Sequence, residues 1–261
     1  MGSLTDTLLL HINTTMVRDS NYDIALQMVK NIRVLSDMSI DEVADMCHVS
    51  RASISRFCHF MGFSNFKEFK AFSNIDFSIK NDYTKAFLKE MKNNLPSVIS
   101  DYKVLLNENI NSVLNEDLLP QLKEVAKEIH EHDHVAYFGQ YIFQELGMFL
   151  QSKLMLMGKY IETYTYYDGQ KKCAESLDKK SVAILCTVGG SYFTRHDDIW
   201  DDIVSSGCKT IVITQNTGNV YLNQADYVIP CGIRNNEGTG KYAALLLLEY
   251  LIIVYMNQYN N

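Results

Sequence analysis

Five short apolar runs in the second half of the chain constrain the fold more than any other feature: HVAYFG (134–139), KYIETYT (159–165), SVAILCT (181–187), KTIVITQ (209–215) and YVIPCG (227–232). Each has the length and the β-branched or aromatic content of a strand, and helical segments such as 140–157 and 195–206 lie between them. Strands that alternate with helices pair in parallel, and the helices then cover both faces of the sheet. The fold class expected is α/β, with a doubly wound parallel sheet between residues 111 and 261. In such a sheet the ligand crevice lies beyond the carboxyl ends of the strands, where the loops beginning at Gly139, Thr187 and Thr214 would meet helix starts.

The first half has a different pattern, centred on IDEVADMCHVSRASISRFC (40–58). Ser39 with Glu42 three residues on is a capping box, and Ile40, Val43, Ala44 and Cys47 fall on one face of a short helix. The chain turns at Cys47 to Val49, where His48 occupies a position that commonly holds a left-handed Gly. Ser50 can cap a second helix whose Ile54, Phe57, Cys58 and Met61 form its apolar stripe. Its opposite face carries Arg51, Ser53, Ser55 and Arg56. Two short helices with a small residue at their crossing and a basic, hydroxyl-rich outer face are the pattern of a helix-turn-helix.

Segments 3–15 and 22–34 also have helical periodicity, with Asn21 as the expected cap, and they complete an all-helical N-terminal domain. Gly62 can end the second helix. Phe63, Phe66, Phe69 and Phe72 then recur every three residues as a core stripe, with Lys67 and Lys70 off it and able to touch phosphates. The domain boundaries expected are a DNA-binding domain over 1–75, a helical connector over 76–110 and the sheet domain over 111–261.

Charge supports this assignment of faces. From Tyr22 to Val49, Lys30 and Arg33 stand against Asp23, Asp37, Asp41, Glu42 and Asp45, whereas from Ser50 to Ser73 Arg51, Arg56, Lys67 and Lys70 stand against Glu68 alone. The net charge of −7 argues against indiscriminate polyanion binding. So modest a basic surface neutralises few phosphates, which favours a homodimer or higher even oligomer on double-stranded operator DNA. The six cysteines include no Cys-x-x-Cys pair and several lie in apolar runs, which points to buried thiols in the cytoplasm, and the opening MGSLTDTLLLHI has no basic segment of a secretory signal.

The stretch VSRASISRFCHFMGFSNFKEFK (49–70) resembles the signature of the RpiR/MurR family of transcription regulators, and the chain is similar to that family over almost its whole length. The resemblance implies that the second half is a sugar isomerase (SIS) domain, which in this family usually senses a phosphorylated sugar without turning it over. The family's first ligand loop, Gly-x-Gly-x-Ser, corresponds to Gly139-Gln140-Tyr141-Ile142-Phe143, which keeps only the first Gly. Its second, Ser-x-Ser-Gly-x-Thr, corresponds to Thr187-Val188-Gly189-Gly190-Ser191-Tyr192. The effector-binding residues expected are Gly139, Gln140, Tyr141, Thr187, Gly189, Gly190 and Ser191, with Arg195 one turn on. Tyr141 and Phe143 would narrow the pocket, so the effector would be smaller or less phosphate-dependent than the family norm, or absent.

Other motifs carry less. His130, His132 and His134 alternate and so do not share a helical face, and no metal or other cofactor is expected. Gly238-Thr239-Gly240-Lys241-Tyr242 lacks the spacing and the hydroxyl of a P-loop. The apolar run 243–256 is too short to span a bilayer and reads as a helix buried on two sides, with the resemblance favouring a second subunit as part of its cover. The leading function is a DNA-binding regulator of carbohydrate metabolism whose SIS domain senses a sugar phosphate or related metabolite, and not an enzyme. The competitors are a sugar phosphate isomerase, with Glu145, Glu162 and His196 as acid/base candidates, and a regulator whose SIS domain is a ligand-free dimerisation scaffold.

Overall fold

The structure, a computed structural model, describes residues 4–73, 83–233 and 235–259, without the side chains of Phe72, Ser73 and Asn236. It divides into two compact units, Gly2–Ser78 and Ile79–Asn261. Part of the connector stretch lies outside the described residues, as does the side chain of Phe72 in the aromatic stripe.

The first unit is helical: α1 (Leu4–Thr14), α2 (Ser20–Lys30), α3 (Ile32–Leu35), α4 (Ile40–Met46), α5 (Arg51–Phe60) and α6 (Phe66–Ser73). Its core joins Leu8, Ile24, Met28, Val43, Ala44, Ile54, Phe57, Phe63 and Phe69. The cap of α2 is Asp19, whose carboxylate accepts the Tyr22 amide, rather than Asn21. Asp19 has the extended backbone that an N-cap needs, while Asn21 is already within the helix. The expected capping box at Ser39 forms in both directions. Phe63 and Phe69 are buried edge to face at 5.2 Å, and Phe66 stacks on Phe69, so the stripe is core.

The same turn brackets α5 at both ends. At Gly62 (φ 87) the Phe63 amide reaches back to the Cys58 carbonyl at 2.9 Å, and at His48 (φ 55) the Val49 amide reaches back to the Ala44 carbonyl at 3.0 Å. Both are the left-handed closure that satisfies the orphan carbonyls at a helix end. His48 therefore adopts the conformation that glycine takes fourteen residues later, and it fixes the angle at which α5 leaves α4.

The second unit opens with α7 (Lys85–Asn93), α8 (Leu95–Val113) and α9 (Leu119–Glu131). It continues through β1 (His134–Phe138), α10 (Ile142–Met155), β2 (Glu162–Thr163), α11 (Tyr167–Glu175), β3 (Ser181–Cys186), α12 (Ser191–Arg195), α13 (Asp197–Ser206), β4 (Lys209–Thr214), β5 (Tyr227–Pro230) and α14 (Gly240–Tyr259). The sheet is parallel throughout in the order β2-β1-β3-β4-β5. Of the run 159–165 only Glu162 and Thr163 pair. The chain before them is held by the Lys159 ammonium on the carbonyls of His130 and His132.

Strand residues alternate between two cores. Val135, Tyr137, Val182, Ile184, Ile211 and Ile213 face α8, α9, α10 and α14, while Ala136, Phe138, Ala183, Leu185 and Val212 face α11, α12 and α13. Leu247, Leu248, Leu251 and Tyr255 of α14 are buried by this first layer within the one chain. Within the chain α8, α9 and α10 cover this side of α14, and Tyr242, Ile253 and Met256 are its exposed apolar residues of large size. All six cysteines are buried and free, and burial pushes the thiols of Cys47 and Cys58 up to about 11 and that of Cys186 up to about 12.

A β-branched residue tolerates the left-handed region poorly, at about 1–2 kcal/mol. His48→Val should lower the unfolding free energy of the first unit by that amount in urea melts, while His48→Gly should leave it nearly unchanged.

Candidate DNA-binding surface and effector crevice

In the first unit the outward residues of α5 are placed by its cap. Ser50 Oγ accepts the Ser53 amide at 3.1 Å, and this starts the helix so that Ile54, Phe57 and Cys58 point inward while Arg51 and Arg56 stay exposed. Ser53 and Ser55 are half-buried at the edge of that face. The Ser53 hydroxyl lies 3.0 Å from that of Ser50 and accepts from Arg56 Nη2 at 3.0 Å, so the Arg56 side chain lies back along its own helix. Arg51 pairs with Asp41 of α4 at 3.5 Å, an exposed contact that is weak and easily exchanged for a phosphate.

A groove runs beside this face, lined by Ile40, Arg51, Ser55, Asn65, Phe66 and Lys67. Asn65 Oδ1 accepts the Glu68 amide at 2.9 Å and Glu68 accepts the Ser64 amide at 2.6 Å, which begins α6 at the groove wall with Lys67 exposed. Lys70 differs from its expected role. Its ammonium is turned inward to donate to the Met38 carbonyl at 2.8 Å, tying α6 to the chain before α4.

In the second unit the strand order sets the crevice. The chain leaves β1 toward β2 on one side and leaves β3 toward β4 on the other, so the loops after β1 and β3 part at their carboxyl ends. The first is Gly139 to Tyr141 and the second Thr187 to Gly190. The loop after β4 closes the second from outside: Gln215 donates its amide to the Val188 carbonyl at 3.1 Å, and Asn216 Nδ2 donates to the Gly189 carbonyl at 3.4 Å. Gly190 has φ 82, and a Cβ there would come within 2.6 Å of Asn219 Nδ2, so both backbone and space require glycine.

Two direct contacts clasp the loops together. Gln140 Nε2 donates to Ser191 Oγ at 2.6 Å, and Arg195 Nη1 donates to the Tyr141 hydroxyl at 2.8 Å with its guanidinium 5.9 Å from the ring centre. Tyr141 is itself in a positive-φ conformation (φ 54, ψ −132) that costs energy without a Gly. Beneath the clasp Gln170 of α11, which is buried, donates to the Gly139 carbonyl at 2.9 Å and accepts from the buried Tyr192 hydroxyl at 2.7 Å.

The expected effector residues thus separate into two groups. Gln140, Tyr141, Gly189, Ser191 and Arg195 reach the surface of the crevice. Gly139, Thr187 and Gly190 are buried, and Thr187 Oγ is taken by the Tyr192 amide at 3.3 Å, so it supports the loop. Phe143 packs into the α10 side of the core instead of narrowing the pocket, and Tyr192 forms the floor. The helix after this loop, α12, is only five residues long, so its dipole is small. Gln170, Asn216 and Asn219 escaped sequence reading because a lone amide in a polar segment carries no periodic or motif signal.

The acid/base candidates are not brought together in the crevice. Glu145 is exposed on α10, and Glu162 bonds to His134 and Cys173. His196 is buried against Tyr192 and Tyr167, and burial pushes its imidazole down to about 4. The three histidines before β1 also diverge: His130 stacks on Tyr259 at 3.8 Å, His132 bonds to Glu128, and His134 faces Glu162. The Gly238 segment is held structurally, with the neighbouring Glu237 carboxylate accepting from the Thr84 amide and hydroxyl at 2.8 and 2.7 Å.

Residues 8–80 match the family described as helix-turn-helix domain, rpiR family. No curated protein sequence matches the chain. Among solved structures, the Vibrio vulnificus NanR protein complexed with ManNAc-6P is similar at 13% identity, over 97% of this chain and 92% of its own, with a TM-score of 0.51. The sugar isomerase domain of an RpiR transcription factor from Sphaerobacter thermophilus is similar at 15% identity, over 63% of this chain and 90% of its own, with a TM-score of 0.50. A Listeria monocytogenes protein provisionally named a sugar-phosphate isomerase is similar at 17% identity, over 63% and 92%, also at 0.50. At these identities the likeness is one of fold, and it gives the second unit the SIS fold.

Removing the Gln170 amide would leave the Tyr192 hydroxyl and the Gly139 carbonyl unpaired, each at about 1–3 kcal/mol. Gln170→Leu should therefore destabilise the second unit by on the order of 2–6 kcal/mol in chemical denaturation.

Proposed function

We propose that this chain, which opens with an rpiR-family helix-turn-helix and continues as an SIS domain, is a DNA-binding transcription regulator of carbohydrate metabolism that senses a sugar phosphate or related metabolite. The observation that carries the reading is the joining of a capped, basic α5 to a sheet whose switch-point loops are clasped through a guanidinium. In the first unit Arg51, Ser55 and Arg56 would read base edges or nearby phosphates, with Ser50 and Ser53 setting the helix and Lys67 holding the backbone. Lys70 contributes by fixing α6. Such a regulator works where the chromosome is, in the cytoplasm, and as a homodimer or higher even oligomer, because one unit offers only a few phosphate contacts.

In the second unit a phosphorylated ligand would compete for donors now spent inside the clasp. Arg195 would exchange the Tyr141 hydroxyl for a charge-assisted bond, and Gln140 and Ser191 would turn to the sugar. The ManNAc-6P bound to the similar NanR structure supports this ligand class. Glu145 is exposed on α10 while Glu162 and His196 are taken up by separate neighbours, which supports sensing over isomerisation, since an isomerase needs a positioned acid/base pair.

Fluorescence anisotropy on a two-fold operator should show Arg51→Ala or Arg56→Ala losing about 1–3 kcal/mol of specific binding where the arginine reads a base. Lys67→Ala should weaken all sequences alike and flatten the salt dependence. Affinities unchanged in all three variants would refute the DNA-binding surface, and sedimentation of the complex should show two or four chains on each operator.

A sugar phosphate at a hundred times its dissociation constant should stabilise the fold by about 2.7 kcal/mol. Tyr141→Gly, which removes both the backbone strain and the ring held by Arg195, should raise that ligand's affinity. A melt insensitive to ManNAc-6P and to a panel of hexose phosphates, in both the parent and Tyr141→Gly, would favour the ligand-free scaffold.

A further inference from the structure

At the opposite end of the sheet from the crevice, where β1, β2 and β3 begin, three different donor types converge. His134 Nε2 lies 3.3 Å from Glu162 Oε2, and the Cys173 thiol donates to the same oxygen at 3.1 Å. One donor atom from each of the three residues lies within 4.8 Å of the others. We propose that His134, Glu162 and Cys173 form a binding site for a divalent transition-metal ion of the zinc class.

The separations of His134 and Cys173 from Glu162 are close to those of such an ion. With metal–ligand distances of about 2.0–2.1 Å to nitrogen, 2.0–2.2 Å to oxygen and 2.3 Å to sulfur, a tetrahedral site holds nitrogen and oxygen about 3.3 Å apart and sulfur and oxygen about 3.6 Å apart. The histidine–glutamate separation already has this value, and the sulfur needs to move outward by about half an ångström. A thiolate, an imidazole and one carboxylate select zinc or cobalt over magnesium or calcium, which prefer oxygen alone. Three protein ligands leave the fourth position to water. When the ion binds, the thiol proton now shared with Glu162 leaves to solvent and the sulfur coordinates as thiolate.

A second observation points the same way. The other imidazole nitrogen, His134 Nδ1, lies 3.1 Å from Ser181 Oγ, and that hydroxyl donates to Asp178 Oδ1 at 2.8 Å while accepting the Asp178 amide at 3.1 Å. A histidine whose far nitrogen is held by a chain ending on a carboxylate, leaving Nε2 toward the other ligands, is the arrangement that orients metal-bound imidazoles. The elements are rigid: His134, Glu162 and Ser181 each open a strand of the sheet, and Cys173 is buried on α11. The site is independent of the DNA-binding and sugar-sensing reading.

Cobalt titration of the full chain after chelator treatment tests the proposal. One equivalent of Co²⁺ should bring up a near-ultraviolet sulfur-to-cobalt charge-transfer band together with visible bands of tetrahedral intensity, and Zn²⁺ should bleach both. Cys173→Ser should abolish the charge-transfer band while circular dichroism stays that of the parent, and Cys208→Ser should leave it intact. Should Cys173→Ser fail to fold, His134→Gln and Glu162→Gln serve in its place, each weakening Co²⁺ binding, and Ser181→Ala should weaken it about 10- to 100-fold. Absence of a thiolate band in the parent, a band that survives Cys173→Ser, or equal affinity in the parent and in His134→Gln, Glu162→Gln and Ser181→Ala would overturn the site.

Discussion

A single buried amide sets the distance between the two halves of the crevice. Gln170 gives its nitrogen to the carbonyl of Gly139 and its oxygen to the hydroxyl of Tyr192, so the loop after β1 and the loop after β3 are referred to one side chain of α11. The strand order makes such a tie necessary. Two loops that leave the sheet in opposite directions share no backbone ladder past the strand ends, and only side chains can hold them in register. Because the amide is out of water, neither of its bonds can be exchanged for a solvent contact without loss.

The first loop holds a glycine-like backbone on a residue with a large side chain. Tyr141 stands where the resembled family has its second glycine, and it still takes a positive φ. The strain is held by what surrounds it: the Arg195 guanidinium on the Tyr141 hydroxyl, and the Gln144 and Glu145 amides on the Tyr141 carbonyl. His48 repeats the pattern in the other unit, keeping a glycine-like turn without glycine. In both places a residue with a side chain holds a backbone conformation that glycine adopts at less cost.

Much of this architecture could be read from residue order because its signals are local. The reciprocal Ser39–Glu42 cap, the turn after Cys47 and the Ser50 cap each lie within four residues, and the strand runs announce themselves by composition. Capping at Asp19 was misread because several polar residues precede α2 and only backbone conformation distinguishes the cap. The packing of α14 on α8 and α9 joins elements more than a hundred residues apart in the chain, which local periodicity does not encode. The crevice was legible as two loops and illegible as a clasp, since Gln140–Ser191 and Tyr141–Arg195 are pairings over fifty residues that no spacing rule encodes.

The six buried thiols give the molecule an internal record of its own opening. A thiol reacts as thiolate, and burial pushes these groups up while also denying access to reagents. Their rates of alkylation under native conditions are thus set by how often the surrounding structure opens, rather than by their intrinsic nucleophilicity. Cys47 and Cys58 belong to the core of the helical unit, and Cys173, Cys186, Cys208 and Cys231 to the two layers around the sheet. Labelling followed residue by residue therefore separates the opening free energy of the part that would hold DNA from that of the part that would hold the effector, within one unmodified chain.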